Sequence, residues 1–215
     1  MDKLTLYIGN KNYSSWSFRP WLALEGRGIP FEEVVIPFDF PAGNPNIHAV
    51  SPTGKVPLLD HGGFKVWESL AIIEYVAELF PDAGLWPSDS QDRALARSHS
   101  MEMLAGFRAL RNACPMNIRR PVGKIDLPDG VMDDVARIET IWREARSRSG
   151  GPFLFGAFSG VDAMFAPVVN RFEIYDLVSS ADTLDYMATM KTLPAWQKWE
   201  TAARAEPWIV PEDEV

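Results

Sequence analysis

Three short segments near the beginning of the sequence carry side chains that could bind a ligand. The first, Ser14-Ser15-Trp16-Ser17, lies where a strand-like pattern gives way to a helical one. A helix N-terminus presents unpaired amides and a partial positive charge, which stabilise a thiolate, and a serine hydroxyl can donate one further hydrogen bond to the sulfur. The same serines could instead only cap the helix, and the segment taken alone favours that interpretation.

The second segment is Gly54-Lys55-Val56-Pro57. A residue before proline is held extended, and a cis Val56-Pro57 bond would expose the backbone amide and carbonyl of Val56 to an extended peptide. Lys55 could bind a carboxylate. The alternative is an ordinary turn with a solvated lysine, and this segment alone favours the turn.

The third segment, Glu68-Ser69, begins a helical pattern. Ser69 and the first helix amides could bind an anion, while Glu68 could accept a hydrogen bond from an ammonium group. A strand-end glutamate and an ordinary helix cap are the alternative. Taken together, the three segments suit a thiol, an extended backbone and a zwitterion, and a small γ-linked thiol peptide carries all three groups.

The elements that position these segments follow the order strand, helix, strand, irregular loop, strand, strand, helix. This βαβ-ββα order predicts a thioredoxin-like α/β domain with a mixed four-stranded sheet. The alternation and helical spacing of apolar residues predict strands over 4–8, 33–37, 56–60 and 64–67, and helices over 16–27 and 69–80.

Strand signals vanish after the linker PDAGLWPSDS. Helical patterns predict an all-α second part, in which Ser159 and Asp162 have the spacing of a capping box. These helices are predicted over 92–111, 133–147, 159–177 and 193–205. We therefore predict a thioredoxin-like domain over 1–82, a linker over 83–91 and a helical domain over 92–215.

Composition excludes several classes of partner. The formal net charge is −8, from 21 basic and 29 acidic residues. Nucleic acids and anionic membranes attract a basic surface, so neither is an expected partner. No stretch approaches the roughly 20 apolar residues of a membrane-spanning helix.

The single cysteine, Cys114, predicts a reducing compartment and a buried apolar role for its side chain. The first residues, MDKLTLYIGN, lack the pattern of a signal peptide, which predicts a cytoplasmic location. The three histidines have no metal-ligand spacing, and we expect no metal.

The sequence resembles the glutathione transferase superfamily over essentially its full length, and it is most similar to a bacterial member of the zeta class, which includes maleylacetoacetate isomerases. The segment from Ser14 to Arg19 resembles the zeta motif Ser-Ser-Cys-Ser-Trp-Arg. The other similar segments are the cis-proline loop at 51–57, the Glu/Gln-Ser-x-Ala-Ile-x-x-Tyr motif at 68–75 and the interior helix cap at 151–162.

This resemblance implies that glutathione is the co-substrate and that the protein is a homodimer. Ser14 or Ser15 would face the glutathione sulfur, with Ser14 slightly favoured. The remaining glutathione contacts implied are Trp16 and Ser17 in the turn, His48 and Lys55 at the glycyl end, Val56 and Pro57 beside the cysteinyl backbone, and Glu68 and Ser69 at the γ-glutamyl end.

The sequence departs from the zeta motif at Trp16, which replaces the cysteine, so chemistry that needs that thiol is lost. Tyr13 is a rival for the sulfur contact, because tyrosine supplies the catalytic hydroxyl in other classes. The helical domain would supply the electrophile pocket through Phe107, Arg111 and Arg171. Arg171 lies near the place where the zeta class uses an arginine on its acidic substrate.

Three functions remain open on the sequence alone. The first is conjugation of glutathione to a small hydrophobic electrophile in detoxification, the glutathione S-transferase reaction. The second is glutathione-dependent cis-trans isomerisation of a maleyl-type diacid. The third is a non-catalytic binding protein with the same fold, since a fold does not fix a function.

Overall fold

The computed structural model describes residues 3–215, which form a small mixed sheet and a larger set of helices. The strands are β1 (Leu4–Ile8), β2 (Glu32–Val35), β3 (Leu58–His61) and β4 (Phe64–Trp67). They lie in the order β2-β1-β3-β4, with β1 and β2 parallel and the other two pairs antiparallel. The predicted mixed four-stranded sheet is confirmed.

Nine α-helices lie within residues 3–215. Their bounds are α1 Ser15–Gly26, α2 Pro45–Val50, α3 Ser69–Leu79, α4 Ser90–Ala105, α5 Arg108–Ala113, α6 Val131–Ser149, α7 Gly160–Ile174, α8 Ala181–Lys191 and α9 Pro194–Ala205. Short 3-10 turns cover Pro81–Ala83 and Pro211–Asp213. The second part of the described chain is helical, as predicted.

The helix predictions differ from the structure in two places. The helix predicted over 92–111 is two helices, because the backbone is extended at Gly106 and left-handed at Phe107, with φ of 55°. The Arg111 guanidinium donates to the carbonyls of Leu104 and Gly106, both at 3.1 Å, and so satisfies groups that the break leaves free. Helix α8 was not predicted at all.

Helix α1 lies in the interior, between the sheet and the helices of the second part of the chain. Phe18 of α1 stacks on Trp199 of α9 at 4.7 Å between ring centroids, and Trp21 lies 5.1 Å from the same ring. Helix α7 packs against α1 and is buried along almost its whole length. The start of α1 is therefore fixed from both parts of the molecule.

The predicted capping box begins α7. The Asp162 carboxylate accepts hydrogen bonds from the amide and the hydroxyl of Ser159, at 2.9 and 3.1 Å. It also accepts bonds from the Leu154 amide and the Tyr186 hydroxyl, each at 3.0 Å. One buried carboxylate thus joins α7, α8 and the loop before them.

The segment after α9, residues 206–215, folds back over the loop between β1 and α1. The Glu206 carboxylate accepts from the backbone amides of Lys11 at 2.7 Å and Asn12 at 3.0 Å. Arg119 donates to the carbonyls of Glu206 and Trp208. We call residues 206–215 the strap.

No helix within residues 3–215 has the length and apolar character needed to cross a membrane.

Candidate functional site

Two adjoining cavities lie at the start of α1. The larger measures about 350 Å³ and the smaller about 150 Å³. Both are lined by Trp16, Lys55 and Val56, so they form one continuous cleft. The larger cavity is also lined by Tyr13, Ser14, Ser15, Phe38, Phe40, Asn44, Ile47, Gly54, Arg111, Asn112, Pro115, Met116, Arg171 and Asp213, and the smaller by Thr53, Pro57, Trp67, Glu68 and Ser69.

The turn at the floor of the larger cavity holds two candidate hydroxyls. Ser14 is the N-cap residue of α1 and is 5% exposed, whereas Ser15 is half-buried. The Ser14 and Ser17 hydroxyl oxygens lie 2.7 Å apart, and the Gly9 amide donates to Ser17 at 3.1 Å. The Ser14 hydroxyl is the donor in this pair, so its proton must rotate away from Ser17 before it can serve a ligand, and a hydroxyl is free to rotate in this way.

The Tyr13 hydroxyl makes hydrogen bonds to two side chains of the protein. It donates to the Glu214 carboxylate and accepts from Arg119 at 2.8 Å. Burial first, and the bond to Glu214 second, raise the pKa of Tyr13. A phenol that already donates to a carboxylate has no proton left to give a sulfur atom.

The loop before β3 presents unpaired groups to the cleft. The Val56-Pro57 bond is cis. Among the contacts of residues 3–215, no hydrogen bond uses the amide or carbonyl of Val56, although its side chain is buried. The neighbouring Lys55 side chain is exposed, and no carboxylate of the described chain pairs with it. A peptide lying in the cleft would meet backbone groups and a cation together.

The start of α3 lines the smaller cavity. Glu68 has φ of 67° and ψ of 128°, a conformation that costs a non-glycine residue about 1–3 kcal/mol and that is concentrated at functional sites. The Ser69 hydroxyl donates to the Trp16 carbonyl at 2.7 Å. That bond ties the start of α3 to α1, and the first amides of α3 are left to interact with an anion.

Arginine side chains surround Trp16. The guanidinium carbons of Arg19 and Arg111 lie 4.2 and 4.7 Å from its ring centroid, a cation–π distance. Arg19 is fully buried and donates through Nε to the Met164 carbonyl at 2.9 Å. Its two other nitrogens have no partner among the described residues. The Trp16 ring therefore covers the buried guanidinium of Arg19, which a smaller side chain at this position would leave uncovered.

Arg171 reaches the same cavity from α7. Its Nε donates to the Cys114 carbonyl at 2.7 Å, and Nη1 donates to the Pro167 carbonyl at 3.3 Å. Burial, with a smaller effect from Arg111, lowers the pKa of Arg171 to about 10, so it stays charged at neutral pH. Within the described chain no carboxylate lies within 4 Å of either arginine, and this end of the cavity carries excess positive charge.

Three residues proposed from the sequence do not line the cleft. His48 is exposed, and its ring fills the space beside Gly54, where a Cβ would lie 2.1 Å from it. Phe107 is buried at the break between α4 and α5. Ser17 lies below Ser14 and contacts the cleft through it. Their parts in ligand binding stay predictions.

Sequence reasoning missed several lining residues. Phe38 and Phe40 follow β2 and stack on each other at 5.1 Å, which gives the cavity an apolar wall. Asp213 enters from the strap. A Phe-x-Phe pair after a strand is a weak local signal, and nothing in the local sequence marks Asp213.

Cys114 does not line the cleft and is fully buried. Burial raises the pKa of its thiol to about 11, so the thiol stays protonated and unreactive at neutral pH. This agrees with the predicted packing role. Within residues 3–215, no three His, Cys, Asp or Glu side chains lie close enough to hold a metal ion.

The described residues combine a mixed four-stranded sheet with a larger set of helices, and the cleft is lined by residues of both. Residues 13–79 match the family model described as glutathione S-transferase, N-terminal domain. The described chain has the glutathione transferase fold, and its residues 13–79 are similar to the N-terminal domain of that family. A glutathione transferase homologue from Burkholderia, solved with bound glutathione, has a TM-score of 0.73 and 22% identity over 96% of this chain and all of that one.

Curated relatives come from plants and animals. The rice protein IN2-1 homolog B is 31% identical over 73% of this chain, and the chain spans only 61% of its length. Rat maleylacetoacetate isomerase is 27% identical over 84% of this chain and 74% of the relative. The zeta-like similarity is thus supported, whereas a bacterial origin stays a prediction.

Proposed function

We propose that the chain is a glutathione transferase in which a serine at the start of α1 activates the glutathione thiol for attack on a small hydrophobic electrophile. The observation that carries the proposal is the continuous cleft that Trp16, Lys55 and Val56 share. It joins a helix N-terminus, unpaired backbone groups and a cation within reach of one tripeptide. Two structural neighbours were solved with bound glutathione, which supports the same ligand here.

In this proposal, the glutathione backbone pairs with Val56, and Lys55 binds the glycyl carboxylate. The γ-glutamyl carboxylate lies at the first amides of α3, and Glu68 accepts from the ammonium group. The sulfur then lies in the larger cavity beside Ser14, where burial excludes water from the hydrogen bond. Phe38 and Phe40 give the second substrate an apolar wall.

Activation needs only modest energy. A free thiol has a pKa of about 8.5, and each unit of lowering requires about 1.4 kcal/mol of preferential thiolate stabilisation. One hydrogen bond to a charged group supplies about 1.5–3 kcal/mol, and a helix N-terminus adds about 0.3–1 kcal/mol. The thiol proton leaves to solvent, and the thiolate forms a bond to the electrophilic carbon while the leaving group departs.

The test is proton release on binding. Calorimetric titration with glutathione in buffers of different ionisation enthalpy should show a proton released at neutral pH. S-methylglutathione, which has no thiol proton, should bind with similar affinity and release none. Absence of binding at millimolar glutathione would instead support a non-catalytic protein.

Lys55 gives a second prediction. Replacing Lys55 with alanine should raise the KM for glutathione about tenfold and change kcat little, because the lost charge contacts a part of glutathione that does not react. Steady-state kinetics at varied glutathione would measure both values. Lys124→Ala is the matched control, since Lys124 is exposed and lies outside both cavities. An equal effect of the two changes would contradict the assignment.

Tyr13 gives a third prediction. Tyr13→Phe should leave the pKa of bound glutathione within about half a unit of the wild-type value, because the phenol is bonded to Glu214 and Arg119 and does not serve the sulfur. Ultraviolet absorbance of the thiolate across a pH series measures this pKa. A return of that pKa to about 8.5 would make Tyr13 the sulfur partner instead.

A second candidate function is isomerisation of a maleyl-type diacid. Arg111 and Arg171 give the cavity charges that suit carboxylates, and the relatives include maleylacetoacetate isomerases. The thiolate would add to the double bond, rotation about the resulting single bond would follow, and the thiolate would leave. Comparing a maleyl diacid with a neutral aromatic halide separates the two functions.

The proposal also covers the location, the oligomeric state and the biological role of the protein. We propose a cytoplasmic homodimer that acts in detoxification. Exposed apolar side chains on β4 and α4 favour an association surface, among them Phe64, Trp67, Leu95 and Met101. Analytical ultracentrifugation would show twice the chain mass of 24.1 kDa if the dimer forms.

A further inference from the structure

The strap places one acidic side chain in the larger cavity. The Asn117 amide group donates to the Asp213 carbonyl at 3.4 Å and to the Glu214 carboxylate at 3.1 Å. The Asp213 amide donates to the Val210 carbonyl at 3.0 Å, and Val210 is buried. These contacts fix the backbone of Asp213 beside the turn that carries Tyr13 and Ser14.

Asp213 is the single carboxylate among the described residues that line this cavity. The other charged side chains that line this cavity are Lys55, Arg111 and Arg171. No ion pair within 4 Å joins Asp213 to any of them in residues 3–215, and Asp213 interacts with the charge of Arg171 across a longer distance. A ligand in the cavity would interact electrostatically with this negative charge.

The charged groups around Asp213 come from α7, α5, the strap and the loop before β3 that carries Lys55. Arg171 on α7 favours the ionised form of Asp213, while Glu212 and Glu214 of the strap disfavour it, and Arg111 on α5 lies beside Arg171. Burial has the largest effect and raises the pKa of Asp213 to about 6. The carboxyl is therefore mostly ionised at neutral pH and mostly protonated below about pH 5.

We propose that Asp213 is a specificity-determining residue that limits how many carboxylates the second substrate can carry. The inference rests on the proposed function, because the cavity is taken as the second-substrate site. A neutral electrophile does not interact with the charge, and a monoanion can pair with Arg171 or with the neighbouring Arg111. The second carboxylate of a dianion adds a like charge to a partly dry cavity that already holds Asp213, and the two charges repel.

The substrate class follows from this arrangement. At neutral pH the site accepts neutral or singly charged electrophiles, and it disfavours diacids in spite of its arginines. The arginines alone would predict the opposite preference.

The test compares kcat/KM for two electrophiles at saturating glutathione. One is chlorodinitrobenzene, which is neutral, and the other is maleylacetoacetate, a diacid. Asp213→Asn should raise kcat/KM for the diacid about tenfold and change that for the neutral halide less than twofold, since the variant removes charge and keeps size. Glu212→Gln is the matched control, because Glu212 is exposed, lies one residue away and is not in the cavity. It should change neither value by more than about twofold.

Dependence on pH gives a second readout. In the wild type, the ratio of diacid to neutral kcat/KM should rise as pH falls through about 6, because Asp213 takes up a proton there. In Asp213→Asn the ratio should stay flat over the same range. Equal changes for both substrates, or an unchanged ratio in the variant, would overturn the proposal.

The proposal can be separated from the failure of the proposed function. If the wild type turns over neither electrophile with glutathione, the enzymatic proposal fails. The effect of the Asp213 charge on diacid binding is then tested by calorimetric binding of maleate dianion alone. Asp213→Asn should bind maleate about tenfold more tightly than either the wild type or Glu212→Gln. Equal affinities would overturn the proposed role of Asp213.

Discussion

Replacing Asp162 with alanine should lower the free energy of unfolding by about 3–5 kcal/mol. The carboxylate is fully buried and accepts four hydrogen bonds, from the amides of Leu154 and Ser159 and the hydroxyls of Ser159 and Tyr186. Alanine leaves these donors buried without partners, and each such donor costs about 1–3 kcal/mol before relaxation. Urea unfolding followed by circular dichroism measures the change.

Asp133→Ala is the matched control for this prediction. Asp133 also lies in the first turn of a helix, α6, but its side chain is exposed. Its loss removes only an interaction with the helix dipole, about 0.3–1 kcal/mol. If Asp162→Ala cost no more than Asp133→Ala, the capping network would not hold α7 in place.

The Asp162 carboxyl also predicts a pH dependence. Burial raises its pKa to about 6 in the folded chain, above the ordinary 3.8, in spite of its four hydrogen bonds. The folded state therefore binds more protons than the unfolded state between these values. The contribution of this group is fully present below about pH 4 and is lost as pH rises through about 6. Asp162→Asn removes this dependence, and comparing its urea unfolding with that of the wild type between pH 4 and pH 7 isolates it.

The second large effect concerns thiol activation. Ser14→Ala should lower kcat/KM for conjugation about 100-fold, a loss typical of removing one preorganised hydrogen-bond donor. The pKa of bound glutathione should rise toward 8.5, while the dissociation constant of S-methylglutathione should change little. The physical reason is burial, because Ser14 is 5% exposed and a hydrogen bond from its hydroxyl to the sulfur would form where little water competes.

Ser15→Ala is the matched control. Ser15 lines the same cavity but is half-buried, and water can replace its hydroxyl. We expect less than a fivefold loss of kcat/KM, in the range of a weak solvent-exposed bond. A larger loss in Ser15→Ala than in Ser14→Ala would assign the sulfur contact to Ser15.

Ser17 separates positioning from direct contact. It holds Ser14 at 2.7 Å and the Gly9 amide at 3.1 Å, so it acts on a ligand only through Ser14. Ser17→Ala should therefore raise the pKa of bound glutathione less than Ser14→Ala does. The double change Ser14→Ala with Ser17→Ala should shift that pKa no further than Ser14→Ala alone.

The sequence by itself determined the order of strands and helices through α3, apart from the short helix α2, and the cap of α7. Each of these depends on residues that are neighbours in the chain. Alternation in β1 and the Ser159–Asp162 spacing are local properties of the sequence, and the Ser159 bonds to Asp162 form within one helical turn. The capping prediction held because its donors and its acceptor lie within one helical turn.

Only the tertiary structure decided which side chains share the cleft. Arg19 and Arg111 meet over Trp16 because α1 and α5 converge there, and the helix break at Gly106 that turns α5 toward Trp16 has a weak sequence signal. His48 lies outside because it fills the space beside Gly54. Asp213 enters through a strap held by Asn117 and other residues distant in sequence. Such contacts depend on how whole elements pack, and the periodicity of any one segment does not record them.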